Sequence, residues 1–294
     1  MSLLKIKYHN NKIKVSFLGV VIFSLVNDST QNILTGIQNI WTSINSRFEN
    51  LETKLEQFKY IYLGALKDHP NIFLKYKDIH RGKDLVLLAT GPSLNMYQPI
   101  KDAIHVGVNN AYRNSIIDLD FLFIQDETVF TSTAETEDNI LNYRKGLCKK
   151  FFGKHYMDLG DINLIISQNQ ICKASAEHYW FLSHQIPTSN YSIMSPNISQ
   201  RPLNTWGSVV FPALEFMLWT HPRRIYLVGC DCCDNGYFLS QNSPINTTTQ
   251  GYKVMRYGWE KLKKFAEIHY PDIEIMSINP VGLKDLFPIY NQNK

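Results

Sequence analysis

The sequence predicts an α/β fold, a Rossmann-like and mostly parallel sheet with helices on both faces. Short apolar runs that suit buried strands alternate with longer segments of helical spacing. Glycine, asparagine or aspartate follows directly where several of these runs end, which is the edge at which parallel sheets bind ligands. The 294 residues, 44% of them hydrophobic, suffice for one large domain and a smaller appendage.

An N-terminal appendage is expected over residues 1–70, followed by the α/β domain over residues 71–294. Residues 15–26 are rich in Val, Ile and Phe around Gly19, which favours a β-hairpin, and the run is too short to span a bilayer. From residue 29 to about 65, apolar residues recur at spacings of mostly three and four, which predicts an amphipathic helix or helix pair. Pro70 is expected to end this helical region.

The apolar stripe of this helical region is expected to be buried against another surface. That surface could be the α/β domain, a second copy of the protein or a membrane. Packing within the molecule or a homo-oligomer is preferred, because lysines are few between residues 29 and 50. A cytoplasmic protein is expected, with peripheral association at the inner face of the membrane left open.

The elements of the α/β domain follow from the alternation of patterns. Strands are expected at residues 85–89, 104–108, 121–125, 163–167, 224–228 and 273–277. Helices are expected at residues 93–101, 136–143, 174–183, 208–220 and 253–268.

The stretch over residues 84–94 carries the strongest single signal. Five consecutive apolar residues suit a central parallel strand, and Gly91 then allows a tight turn with room for a ligand. Pro92 fits a first helical turn, and Ser93 offers a hydroxyl. A helix that starts at the carboxyl end of a strand attracts phosphate. An ordinary strand-to-helix turn is the alternative that these residues leave open.

Polar residues also follow two neighbouring strand candidates. The Asn109 and Asn110 amides can bond ribose hydroxyls or phosphate, with a simple turn as the alternative. Asp126 follows the next strand and is expected to face the site as a base or an acceptor contact. With Glu127 it could instead ligate a divalent cation, although adjacent strand side chains diverge.

The last strand candidate ends in an acidic loop. Asp231 can accept from a base amino group or a ribose hydroxyl, with a turn or capping role as the alternative, and Asn235 with Gly236 supplies a tight turn. Gly207 and Ser208 precede a helix, whose positive end could hold a carboxylate or phosphate.

Four motifs in this order resemble the bacterial sialyltransferases of glycosyltransferase family 42 and the related motility accessory factor and pterin pyrophosphokinase-like group. The motifs lie at residues 89–94, 108–110, 205–208 and 225–236, within residues 83–280. The resemblance implies a single-domain variant of the glycosyltransferase-A type. In such enzymes the first loop and the asparagine hold the phosphate and ribose of a CMP-sugar, and the last loop holds the cytosine.

The resemblance implies a set of nucleotide-binding residues in this chain. They are Thr90, Gly91, Pro92, Ser93, Asn109, Asn110, Thr205, Trp206, Gly207, Ser208, Gly229, Asp231 and Asn235. The family's histidine base has no counterpart in residues 247–259. Tyr252 or Tyr257 could occupy that position, although a hydroxyl with a pKa near 10 is a poor base. The candidate catalytic residues are therefore Asp126, Asp231 and Tyr252.

Charge and cysteine content narrow the function classes. A net charge of +4 without a basic stripe does not favour nucleic-acid binding. The five cysteines are odd in number and lack zinc-finger spacing, so free thiols and no metal are expected. No permanently bound cofactor is expected.

The leading hypothesis is a glycosyltransferase whose donor is a CMP-activated nonulosonic acid and whose acceptor is a bacterial surface glycan or a protein. A pterin pyrophosphokinase-like enzyme that uses ATP and magnesium is the second hypothesis. A catalytically inert module that binds carbohydrate or a protein partner is the third.

Overall fold

The structure, a computed structural model, describes residues 4–9, 12–17, 20–26, 30–125, 140–154, 175–183, 195–233, 236–239 and 249–292. The chain divides into two compact units, Met1–Glu56 and Gln57–Lys294. The predicted α/β class is confirmed. The assignment of residues 1–70 to a separate appendage stays a prediction. The predicted strand at 163–167 and the first half of the predicted helix at 136–143 lie outside the described residues.

The first unit contains a three-stranded antiparallel sheet. Its strands are β1 (Leu4–His9), β2 (Lys12–Phe17) and β3 (Val20–Val26), in the order β1-β2-β3. β2 and β3 form the expected hairpin, with a register shift between Val15 and Ser16. β1 was not predicted, although Leu4, Ile6 and Tyr8 alternate with polar residues at the period of a strand.

One helix, α1 (Thr30–Phe73), runs for 44 residues where a helix or a pair was expected. The prediction that Pro70 ends this region is wrong, because the helix continues three residues further. Contacts with other elements of the second unit stabilise the last turn of α1. His69 Nε2 accepts from the Trp180 backbone N–H at 2.8 Å, and Trp219 Nε1 donates to the Phe73 carbonyl at 2.9 Å. The second bond satisfies a carbonyl that the helix end leaves free.

The second unit is built on an eight-stranded sheet in which every described pairing is parallel. The strand order is β11-β10-β4-β5-β6-β7-β8-β9. The strands are β4 (Asp84–Leu88), β5 (Ile104–Val108), β6 (Phe121–Ile124), β7 (Lys149–Lys154), β8 (Glu177–Ser183), β9 (Leu203–Thr205), β10 (Arg224–Val228) and β11 (Glu274–Ser277). The chain adds strands outward from β4 to β9 and then returns to place β10 beside β4. This reversal creates a switch point between β4 and β10, where open α/β sheets bind ligands.

Both faces of the central strands are buried. Leu85 and Leu87 of β4 point into one apolar cluster, and Val86 and Leu88 point into the other. The first cluster includes the fully buried α2 (Val210–Trp219) and the apolar side of α3 (Thr249–His269). A buried ion pair, Arg201 Nη1 to Glu215 Oε2 at 2.5 Å, lies beneath α2. The continuous apolar runs of the sequence are therefore strands covered on two sides.

Two predicted helices are different elements. Residues 177–183 form β8, because Tyr179 and Phe181 pack into the main core while Trp180 and Leu182 pack in a separate cluster with α1. That alternation has the period of a strand and not of a helix. The predicted helix at 93–101 is a short 3₁₀ turn, Pro92–Met96. β7 and β9 were not predicted.

Candidate functional site

The loops after β4 and β10 interlock at the switch point. The Gly91 N–H donates to the Gly229 carbonyl at 2.8 Å, and the Ala89 N–H donates to the Val228 carbonyl at 2.8 Å. A side chain on Gly91 would overlap Asp231 Oδ2, and one on Gly229 would lie 2.5 Å from the Ala89 carbonyl oxygen. Gly229 also has a φ of 67°, which favours glycine. Both glycines are required by this close approach of two backbones.

Asp231 ties the two loops together. Its Oδ2 accepts from the Ser93 N–H at 2.9 Å, and its Oδ1 accepts from the Ser93 hydroxyl. The side chain is buried, and burial raises the pKa of this carboxyl, while the two bonds from Ser93 lower it. Its own carbonyl accepts from the Gly282 N–H at 2.7 Å. In this structure Asp231 braces the turn around Gly91; its predicted catalytic and nucleotide-binding roles stay predictions.

A third segment closes on the first loop. The Phe238 N–H donates to the Thr90 carbonyl at 2.9 Å, and Asn95 Nδ2 donates to the Phe238 carbonyl at 3.0 Å. Residues 236–239 therefore pack against the turn that carries Gly91. Asn95 and Phe238 were not predicted, because no local pattern links residues so far apart in the chain.

Amide side chains gather where β5 and β6 end. Asn109, with a φ of 45°, accepts from the Gln125 N–H at 3.4 Å through its Oδ1. Asn110 Oδ1 and Gln125 Oε1 are buried and have no hydrogen-bond partner among the described residues. Two buried acceptors without a donor are costly unless another molecule or water supplies one. Gln125 was not singled out from the sequence, although it precedes the candidate Asp126.

The loop after β9 divides into a buried and an exposed part. Trp206 is fully buried and contacts Phe211 edge to face at 5.0 Å, so its side chain belongs to the core. Gly207 is exposed with a φ of 75°, and Ser208 follows it two residues before α2. The Thr205 hydroxyl donates to the Ser208 carbonyl at 3.0 Å and accepts from Gln125 Nε2 at 3.5 Å. Thr205 therefore links this loop to the β6 end.

A cavity of about 450 Å³ lies beside α3. Its lining includes Cys232, Tyr252, Lys253, Arg256, Tyr257 and Glu260. Arg256 is held by Asp285, with Nη2 donating to Oδ2 at 2.7 Å, so Lys253 supplies the cavity's less constrained positive charge. Tyr252 and Cys232, the residue that follows Asp231, both line this cavity. Burial raises the pKa of Cys232 to about 11, which keeps its thiol protonated at neutral pH.

The remaining expectations have different outcomes. Asp126 and Asn235 lie outside the described residues. Within the described part of the chain, no group of three His, Cys, Asp or Glu side chains is arranged to hold a metal ion. Cys148, Cys230, Cys232 and Cys233 are not in disulfide bonds. None of the described helices has both the length and the apolar content needed to cross a bilayer.

Comparisons with known proteins yield a likeness of fold. No protein-family model and no curated protein matches the sequence. Among solved structures, the chain is similar to the sialyltransferase CstII from Campylobacter jejuni in complex with the substrate analogue CMP-3FNeuAc. The two share 13% identity at a TM-score of 0.41, over 71% of this chain and 86% of that chain. At this level of similarity the activity of this protein has to be argued from its own residues.

Proposed function

We propose that this protein is a glycosyltransferase that uses a nucleotide-activated sugar. The observation that carries the proposal is the meeting of four strand ends, those of β4, β5, β6 and β10, at one edge of the sheet. The Gly91 turn and Asp231 lie at the switch point, and the amides of Asn109, Asn110 and Gln125 follow β5 and β6 on the adjacent side. Anionic ligands of α/β folds bind in this crevice.

The proposed type of nucleotide and sugar rests on the motif resemblance. The geometry suggests what individual residues of the site would do. The Gly91 N–H already donates to the Gly229 carbonyl and the Ser93 N–H to Asp231 Oδ2, so the proposed role of the Gly91 turn is to form the rigid floor of the crevice. Asn110 Oδ1 and Gln125 Oε1 have free acceptor capacity for ribose or sugar hydroxyls. A CMP-sugar, and in particular a CMP-nonulosonic acid, is the proposed donor; a bacterial surface glycan or a protein is the proposed acceptor.

The proposed reaction is displacement of CMP by an acceptor hydroxyl. The hydroxyl oxygen forms the new glycosidic bond, its proton goes to a base, and the bond to the departing phosphate breaks. Asp126 or Tyr252 is proposed as the base, and Tyr252 would require a lowered pKa for that role. The positive end of α2 would stabilise the phosphate charge without a metal ion.

Melting temperature with and without ligand tests nucleotide recognition. CMP at saturating concentration is expected to raise it more than UMP, AMP or GMP, since ligand binding to the folded state stabilises it. A shift with ATP and magnesium but none with CMP would contradict the proposal and favour the pyrophosphokinase-like alternative. Release of CMP from a CMP-sugar, dependent on acceptor, then separates a transferase from an inert binding module.

A single substitution separates binding from stability at this site. Asn110→Ala removes an acceptor that lacks a protein donor, so it is expected to leave the melting temperature of the free protein almost unchanged while reducing the CMP-induced shift. Asn114→Ala is the control, because the Asn114 Oδ1 bond to the Ile116 N–H at 3.0 Å lies within its own loop. If CMP raises the melting temperature of both variants equally, Asn110 does not contact the nucleotide.

A further inference from the structure

The first two-thirds of α1 carries an apolar stripe that the described residues leave partly or largely exposed. We define the α1 stripe as Ile37, Trp41, Ile44, Phe48, Leu51, Leu55 and Phe58. Phe48, Leu51 and Leu55 are 55%, 63% and 64% exposed. Large apolar side chains scattered singly on a surface are ordinary, but a continuous row of them marks a binding surface.

The spacing of the α1 stripe identifies the shape of its partner. Successive members lie four, three, four, three, four and three residues apart, so the pattern repeats every seven residues through three heptads. A repeat of 3.5 residues per turn keeps the stripe facing another helix that supercoils around it, and a flat surface does not require it. The same phase continues at Tyr62 and Ala65, which the second unit itself covers.

The charges around the α1 stripe argue against a lipid partner. Residues 30–58 contain two basic side chains, Arg47 and Lys54, and three acidic ones, Glu49, Glu52 and Glu56, which gives a net charge of −1. Helices that lie on anionic membranes carry a lysine- and arginine-rich polar face, which this segment lacks. The expectation of peripheral membrane association is therefore not supported by this helix.

We propose that the α1 stripe is the interface of a coiled coil between copies of this chain. In heptad notation Trp41, Phe48 and Leu55 occupy a positions, and Ile37, Ile44, Leu51 and Phe58 occupy d positions. All seven core positions are therefore apolar, as a coiled-coil seam requires. Ile40, at a flanking g position, is 62% exposed and widens the apolar surface. The assembly contains at least two chains.

The flanking charges contribute less than the apolar stripe. In a parallel arrangement Arg47 at g lies opposite Glu52 at e of the neighbouring copy, which is attractive. Lys54 at g lies opposite Lys59 at e, which is repulsive. The two pairs offset each other, so burial of the stripe supplies the association.

Mass measurement in solution tests the assembly. Light scattering during size-exclusion chromatography of the full chain is expected to give at least twice the 34.1 kDa chain mass. Leu51→Lys places a charge at the centre of the interface and is expected to give single chains. Ser46→Lys, at an f position on the opposite side, is the matched control and is expected to retain the wild-type mass.

Two further readouts keep the outcomes distinct. Leu55→Lys is a second variant on the stripe and should also give single chains, and far-UV circular dichroism reports whether each variant remains folded. A wild-type chain that is monomeric at micromolar concentration, or a folded Leu51→Lys variant of unchanged mass, would overturn the coiled coil. The CMP-induced shift in melting temperature is expected to survive in Leu51→Lys, so the two proposals fail separately.

Discussion

Apolar residues recur at helical spacing along α1, but its earlier and later parts have opposite surroundings. Leu51 and Leu55 are 63% and 64% exposed, whereas Ile61, Ala65 and Ile72, further along the same helix, are 2%, 0% and 5% exposed. The later part lies against Trp180 and Leu182 of β8 and belongs to the fold of the second unit. The apolar residues of the later part of α1 thus form an internal interface, whereas those of the earlier part are available to another molecule.

Truncation of one side chain in each part of α1 gives the largest contrast. Ile61→Ala is expected to lower the free energy of unfolding of the second unit by about 3 kcal/mol, because it leaves a cavity beside Trp180. Leu55→Ala is expected to change that quantity by less than about 0.5 kcal/mol. Urea unfolding followed by tryptophan fluorescence measures both, since four of the five tryptophans lie in residues 57–294. Similar losses of unfolding free energy in the two variants would contradict the difference between the two parts of α1.

Low pH is expected to destabilise the buried part of α1, which contains His69. Burial lowers the pKa of His69 to about 4, while its two ring nitrogens bond the Ile198 carbonyl and the Trp180 N–H. The unfolded chain takes up this proton near pH 6.5 and the folded chain near pH 4, so stability is present at pH 7 and is lost as the pH falls through this window. The expected loss at pH 4 from this group is about 3 kcal/mol.

Urea unfolding across this pH range checks the histidine. His69→Gln keeps an acceptor and cannot ionise, so its unfolding free energy should fall less steeply between pH 7 and pH 4. Burial also lowers the pKa of His80 to about 4, so part of the pH dependence should remain. An unchanged slope in His69→Gln would show that His69 is not held neutral.

An added methyl group at Gly64 tests how tightly β8 covers α1. A side chain there would overlap the Trp180 indole ring, whose Nε1 donates to Asp68 at 2.8 Å. Gly64→Ala is expected to destabilise the second unit by about 2 kcal/mol, because neither the helix nor the ring has free space. Thermal unfolding followed by near-UV circular dichroism would report the displaced tryptophan; a wild-type spectrum and melting temperature would contradict this packing.

The same substitution in the uncovered part should have the smallest effect and the opposite sign. A side chain on Gly36 would meet nothing within 4 Å. Gly36→Ala is therefore expected to stabilise α1 by roughly 0.5 to 1 kcal/mol through helix propensity alone. Far-UV circular dichroism during heating measures the gain. A loss of helix would mean that Gly36 is covered in solution.

The candidate site was predictable in its backbone and less so in its side chains. The bounds of β5 and β10 match the predicted residues 104–108 and 224–228, because both are apolar runs that end at a polar or glycine residue. Gly91, Ser93 and Asp231 were each expected at a strand end, but their mutual contacts were not. Those contacts depend on β10 returning to pair with β4, which no local pattern encodes.

The sequence by itself determined the α/β class, the strand ends that carry polar residues, and the seven-residue repeat of α1, because each is a local periodicity of apolar side chains. Only the tertiary structure decided that residues 177–183 form a strand and that α1 continues through Pro70. The strand depends on pairing with β7 and β9, and the course of α1 depends on contacts between residues more than a hundred positions apart, such as His69 with Trp180. Packing against distant partners overrides local propensity when it satisfies more hydrogen bonds and buries more apolar surface.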